Sequence, residues 1–147
     1  MKLSAKGRYA VTALAALALE PRPVSARVLG ERHGIPQSFL EQVLVALRRA
    51  GLVESVRGPR GGYALALPAE RVSVASIIAA VDETVRTRGC TAEMRTSCTG
   101  VGAKCLTHDL WSDLEAHIGA FLEGVSLADV VRGREGVAAV VDAGEVA

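Results

Sequence analysis

Residues 36–68 restrict the possible folds more than any other stretch of the chain. Leu40, Val43, Leu44 and Leu47 recur at i, i+3, i+4 and i+7, which is the spacing of one buried helix face. Pro36 opens that helix, at a position where its missing N–H costs nothing, and Gly51 closes it. Residues 52–56 then read as a strand, and 57–62 (Arg-Gly-Pro-Arg-Gly-Gly) as a turn-rich tip. Residues 63–67 form the returning strand, and Pro68 ends it.

The elements before this stretch complete a recognisable unit. Ser4 stands as an N-cap ahead of Tyr9, Ala10, Ala13, Leu14 and Leu17, and the Glu20-Pro21-Arg22-Pro23 run ends that first helix. Ser25 caps a short second helix carrying Val28 and Leu29, which stops at His33-Gly34. Two short helices joined by a tight glycine-containing turn form a helix-turn-helix, and a hairpin directly after it makes a winged helix.

Ser73 caps a fourth helix with Val74, Ile77, Ile78 and Val81 inward, and Asp82-Glu83 marks its acidic end. Leu110, Trp111, Leu114, Ile118, Phe121, Leu122 and Val125 predict a helix from about 109 to 124 with a broad apolar face. That face is too large for a small wing domain to cover, so a second copy of the chain is the expected partner. Ser126 and Asp129 resemble a capping box opening a last short helix. The expected class is therefore mainly α with a small β-hairpin: a winged helix-turn-helix with a long C-terminal dimerisation helix. Its divisions fall at 1–83 (DNA-binding domain), 84–108 (Cys/His loop), 109–131 (dimerisation helix and short packing helix) and 132–147 (flexible tail).

Charge separates the chain into two halves. Residues 1–60 carry +6 and residues 61–147 carry −5, within a net charge of +1. A cationic half beside an anionic one points to a polyanion as partner, here double-stranded DNA. Gln37, Ser38, Glu41 and Gln42 are the candidate base readers at the start of the third helix. Gln can pair with adenine N6 and N7, and Glu can accept from cytosine N4. Arg57 and Arg60 on the wing tip, and Lys2, Lys6 and Arg8 near the first helix, are the candidate phosphate contacts. No apolar run reaches the roughly 18 residues a membrane span requires. Nothing marks the chain for export, so a reducing cytoplasm is expected.

All three cysteines lie within residues 90–105, and with His108 they read C-x7-C-x6-C-x2-H. Cys90, Cys98, Cys105 and His108 are soft ligands, set among Gly89, Gly100 and Gly102, where backbone can approach an inorganic core closely. Spacing leaves three readings open: a zinc site, which usually takes ligands in close pairs, a redox-active thiol set, and an iron–sulfur cluster. An enzyme or a cluster carrier is the rival class. The loop offers neither a general base nor a substrate pocket, and a carrier has no use for a basic wing tip.

The opening MKLSAKGRYAV, the run SFLEQVLVALRRAGLVESVRGPRGGY, the AVDE after the fourth helix, and KCLTHDLW together resemble the IscR family of winged-helix regulators of iron–sulfur cluster assembly genes. The resemblance covers about residues 1–131. It implies a homodimer with one 2Fe–2S cluster per subunit, ligated at Cys90, Cys98, Cys105 and His108, and fed by the assembly machinery. It implies DNA contacts at Ser38, Glu41, Gln42 and Arg57, with Glu41 helping the cluster-free form to discriminate between two classes of site. It also implies repression of the assembly genes when the cluster is present. The longer spacing between Cys90 and Cys105 departs from the family's usual pattern. Other members of the wider family bind a 4Fe–4S cluster and sense nitric oxide, which keeps a different cluster, or a zinc or thiol repressor, as alternatives.

Overall fold

The computed structural model describes residues 4–81 and 105–133 of the chain. Helix α1 spans Ala5–Leu19, and Ser4 Oγ accepts from the backbone N–H groups of Lys6 (3.1 Å) and Gly7 (3.4 Å). These are two of the donors that a helix start leaves without intrahelical partners. Helix α2, Ala26–His33, is capped by Ser25, and Gly34 ends it in the left-handed conformation at φ 64°. Helix α3, Gln37–Arg49, buries the stripe expected of it: Leu40, Val43, Leu44 and Leu47 are fully inaccessible. Truncating one such leucine to alanine costs roughly 2–5 kcal/mol.

Pro36 sits one residue earlier than expected. It is the cap before α3 and not the first helical residue, and its carbonyl accepts from the Phe39 and Leu40 N–H groups. The proline ring fixes φ and still leaves the carbonyl free to start the helical ladder. Phe39 meets Tyr9 of α1 edge-on, with ring centroids 5.4 Å apart.

Strands β1 (Val53–Val56) and β2 (Gly62–Leu65) pair antiparallel, Val53 opposite Leu65 and Val56 opposite Gly62. Both are shorter than the expected 52–56 and 63–67. A third segment joins them: Val24 and Tyr63 exchange both backbone hydrogen bonds, at 2.9 and 2.8 Å. That contact explains a glycine. Gly62 holds φ 152°, and a Cβ there would meet the Val24 carbonyl oxygen at 2.4 Å.

A 3-10 turn at Ala69–Arg71 leads to α4, Val74–Ala80, capped by Ser73. Helix α5 runs His108–Gly124 and α6 runs Leu127–Arg132. The expected capping box is present: Ser126 Oγ accepts from the Asp129 N–H at 3.1 Å, and Asp129 accepts from the Ser126 N–H at 2.9 Å. Where α5 ends, the chain returns to the start of α4. Val74 N–H donates to the Val125 carbonyl (2.9 Å), and Leu127 N–H donates to the Val72 carbonyl (2.7 Å). Leu127 is thereby buried in the same core as Leu14, Leu44 and Ile77. Helix α1 packs against α3, α4 and α6, so one core positions both the turn-helix pair and the junction after α5.

Candidate nucleic-acid interface and cysteine–histidine segment

Ser38, Glu41 and Gln42 lie at i, i+3 and i+4 on α3, and all three are exposed while Leu40, Val43 and Leu44 take the inward face. The burial of one stripe dictates the exposure of the other. Gln37 is exposed too, and its side-chain amide donates to Glu41 Oε1 at 3.0 Å. At the other end of α3, Arg48 donates to Ser55 Oγ on β1 at 3.4 Å, a bond between this helix and the hairpin.

The wing tip is a tight turn, with the Gly61 N–H on the Gly58 carbonyl at 2.9 Å. Arg57 and Arg60 are exposed on it. Arg8 is exposed on α1, and Lys6 is half-buried in its first turn. Lys2 lies outside the described residues. Two arginines in the cationic half have carboxylate partners: Arg32 meets Glu20 at 2.6 Å and Arg27 meets Glu31 at 3.7 Å. Pairing of this kind removes charge from what a phosphate would feel.

Of the four expected metal ligands, Cys90 and Cys98 lie outside the described residues, and Cys105 and His108 lie within them. Cys105 is half-buried, and its carbonyl accepts the His108 N–H at 3.0 Å. His108 is the first residue of α5, one position earlier than the helix was expected to start, and is only 3% exposed. Its Nδ1 is fully buried and has no hydrogen-bond partner among the described residues. A buried polar atom left in that state normally costs about 1–3 kcal/mol, so it calls for a partner. Among the described residues no three His, Cys, Asp or Glu side chains converge on one point. A soft donor pair three residues apart, one of them an orphaned imidazole nitrogen, fits a thiolate–imidazole metal centre. The other histidines do not. His117 Nδ1 lies 2.8 Å from the Asp113 carbonyl of its own helix, and His33 is exposed at the end of α2.

The sequence pattern placed Trp111 only in the apolar face of α5 and did not single out Thr107. Trp111 Nε1 donates to Thr107 Oγ1 at 3.1 Å, and the same hydroxyl lies 3.8 Å from Cys105 Sγ. Along α5, Leu110, Trp111, Leu114 and Phe121 are exposed, while Leu122 packs with Val74, Ile78 and Val125.

A family model described as an iron-dependent transcriptional regulator, Rrf2, matches residues 3–133. The chain belongs to the Rrf2 family. As an Rrf2 protein it is a DNA-binding transcriptional regulator and not an enzyme. IscR of Aliivibrio salmonicida is 48% identical to it over 133 residues, covering 89% of this chain and 77% of the relative. The solved structure of T. potens IscR superposes with a TM-score of 0.73 at 32% identity, covering 90% of this chain and 87% of that one. The global cysteine regulator CymR of B. subtilis gives a TM-score of 0.75 at 25% identity, covering 90% and 97%. The winged helix-turn-helix with its two-stranded hairpin is thus the Rrf2 fold. Among the described residues, no helix is long and apolar enough to cross a membrane.

Proposed function

We propose that this Rrf2 protein is an IscR-type regulator, a cytoplasmic homodimer whose DNA site choice depends on an iron–sulfur cluster received from the assembly machinery. The observation that carries this reading is His108: a buried imidazole nitrogen with no partner among the described residues, one turn from a cysteine, in a family described as iron-dependent. Cys90, Cys98, Cys105 and His108 would hold a 2Fe–2S cluster, which supplies a redox-active, removable centre. Its three thiolates and one imidazole make it less anionic than a four-thiolate centre.

The chain's own residues divide the remaining work. Ser38, Glu41 and Gln42 read base edges in the major groove, where bidentate Gln and accepting Glu have distinct partners. Arg57, Arg60, Lys2, Lys6 and Arg8 take phosphates, which fix register and set salt dependence. The exposed apolar residues of α5 meet the same surface of a second copy, so two reading helices address two half-sites.

A contiguous route links the two functions. His108 starts α5, the end of α5 is hydrogen-bonded to the start of α4, and α4 packs against α1 and α3. Ordering of the His108 end therefore reaches the reading helix through packed elements, and the coupling itself is part of the proposal.

Anaerobic purification followed by iron and sulfide assays, a visible spectrum and DNA binding before and after chelation tests this reading. The expected outcome is red-brown protein with stoichiometric iron and sulfide, and a preferred operator set that changes when the iron is removed. Colourless protein with stoichiometric zinc, or identical DNA preference in both states, overturns it.

A further inference from the structure

Among the described residues four helices start at a serine, and in each the serine side chain caps the helix: Ser4, Ser25, Ser73 and Ser126 all accept a backbone N–H of the first turn. Thr107 holds the same position before α5 and makes no such bond. A threonine there is chemically suited to capping, so its departure needs a cause. The backbone of Thr107, at φ −105° and ψ 13°, is not in the extended conformation of the four serines, and its hydroxyl meets two other groups instead. The indole N–H of Trp111, one turn along α5, donates to Thr107 Oγ1 at 3.1 Å, and Cys105 Sγ lies 3.8 Å from that oxygen.

Donor and acceptor roles follow from chemistry. Indole nitrogen can only donate, so Trp111 occupies a lone pair of the hydroxyl. A cysteine that ligates a metal is a thiolate and can only accept. The one hydroxyl proton of Thr107 is then directed to sulfur. We infer that Thr107, oriented by Trp111, is a positioning residue that donates a hydrogen bond to the Cys105 thiolate and so raises the reduction potential of the metal centre held there. Hydrogen bonds to ligating sulfurs stabilise the more negative, reduced state of such centres. Trp111 acts through Thr107: its donation polarises the hydroxyl and makes it a better donor toward sulfur.

This inference rests on the cluster reading above, and its test separates the two. Wild type, Thr107→Val, Thr107→Ser and Trp111→Phe are prepared without metal and then reconstituted with iron and sulfide. In the metal-free state, Thr107→Val should shift the emission of Trp111, the chain's one tryptophan, and Thr107→Ser should restore it. In the reconstituted state, redox titration should place the Thr107→Val midpoint below wild type. At the wild-type midpoint its oxidised-to-reduced ratio should rise roughly tenfold, the effect of one lost hydrogen bond to a charged acceptor. Thr107→Ser should match wild type, and Trp111→Phe should move the midpoint the same way by less. Wild type that takes up no iron or sulfide defeats the cluster reading and this inference with it. Loaded variants whose midpoints and metal-free emission all match wild type defeat the inference alone. If Thr107→Val fails to load, the Trp111→Phe midpoint decides, and an unchanged value there overturns the proposal.

Discussion

The side-chain amide of Gln37 donates to the carboxylate of Glu41 across one turn of α3, at 3.0 Å. The orientation of that amide is settled by chemistry, since an ionised carboxylate has nothing to donate. One carboxylate oxygen is therefore held by the protein's own helix, on the face assigned to DNA. An exposed pair of this spacing adds only about 0.2–0.5 kcal/mol to helix stability. Its weight lies in where it leaves the charge of Glu41. Gln37→Leu should leave the thermal midpoint nearly unchanged yet alter the sequences that the protein enriches from a random duplex library. In a Glu41→Ala background the same substitution should alter nothing further. A Gln37→Leu effect of equal size in both backgrounds would show that Gln37 acts independently of Glu41.

Arg57→Ala should weaken operator binding and reduce the slope of log affinity against log salt by about one unit, the signature of one lost phosphate contact. Fluorescence anisotropy over a salt series measures it. An unchanged slope removes Arg57 from the phosphate contacts.

Asp129 carries a pH prediction. The Ser126 hydroxyl donates to its carboxylate at 2.6 Å, the Ser126 N–H donates at 2.9 Å, and Arg132 lies against its other oxygen. These contacts, the hydroxyl first, hold the carboxyl below its ordinary value of 3.8. A carboxyl lowered by folding contributes stability that is fully present above its unfolded value and is lost as pH falls through the folded one. Wild type should therefore exceed Asp129→Asn in thermal midpoint by a constant margin from neutral pH down to about pH 5. That margin should shrink below about pH 4. A margin that stays constant through pH 3 would contradict the assignment.

Leu114→Glu should convert the proposed dimer into a monomer, because it puts a charge at the centre of the exposed apolar face of α5. Light scattering after size exclusion gives the mass. Operator affinity should fall by at least about tenfold, as one half-site is lost. A Leu114→Glu protein that remains dimeric means that α5 is not the interface.

Helix starts were legible wherever a serine supplied the cap, at Ser4, Ser25, Ser73 and Ser126, because the capping bond is made within the four residues that announce it. The inward stripe of α3 and the outward apolar face of α5 were legible for the same reason: a helix repeats its pattern every turn. Contacts made by a single residue across long separations were not. Val24 pairs with Tyr63 from a proline-bounded segment too short to show alternation, so nothing marked it as a strand. Thr107 was hidden differently. With the helix expected from about 109, nothing in the sequence marked Thr107, and only the placement of Cys105 and Trp111 around it shows what its hydroxyl meets. Of the cysteine–histidine set, the residue types were readable, and the burial of the His108 ring was not.

The paired backbone bonds between residues 72–74 and 125–127 have one more consequence. A swivel at that point would let each head of a dimer hunt along the duplex by itself. Two hydrogen bonds and a buried Leu127 make it a welded elbow instead, so in the proposed dimer the angle between the heads would be inherited from α5. Adding one residue to that helix would turn each head by about 100° and place it on the wrong side of the groove.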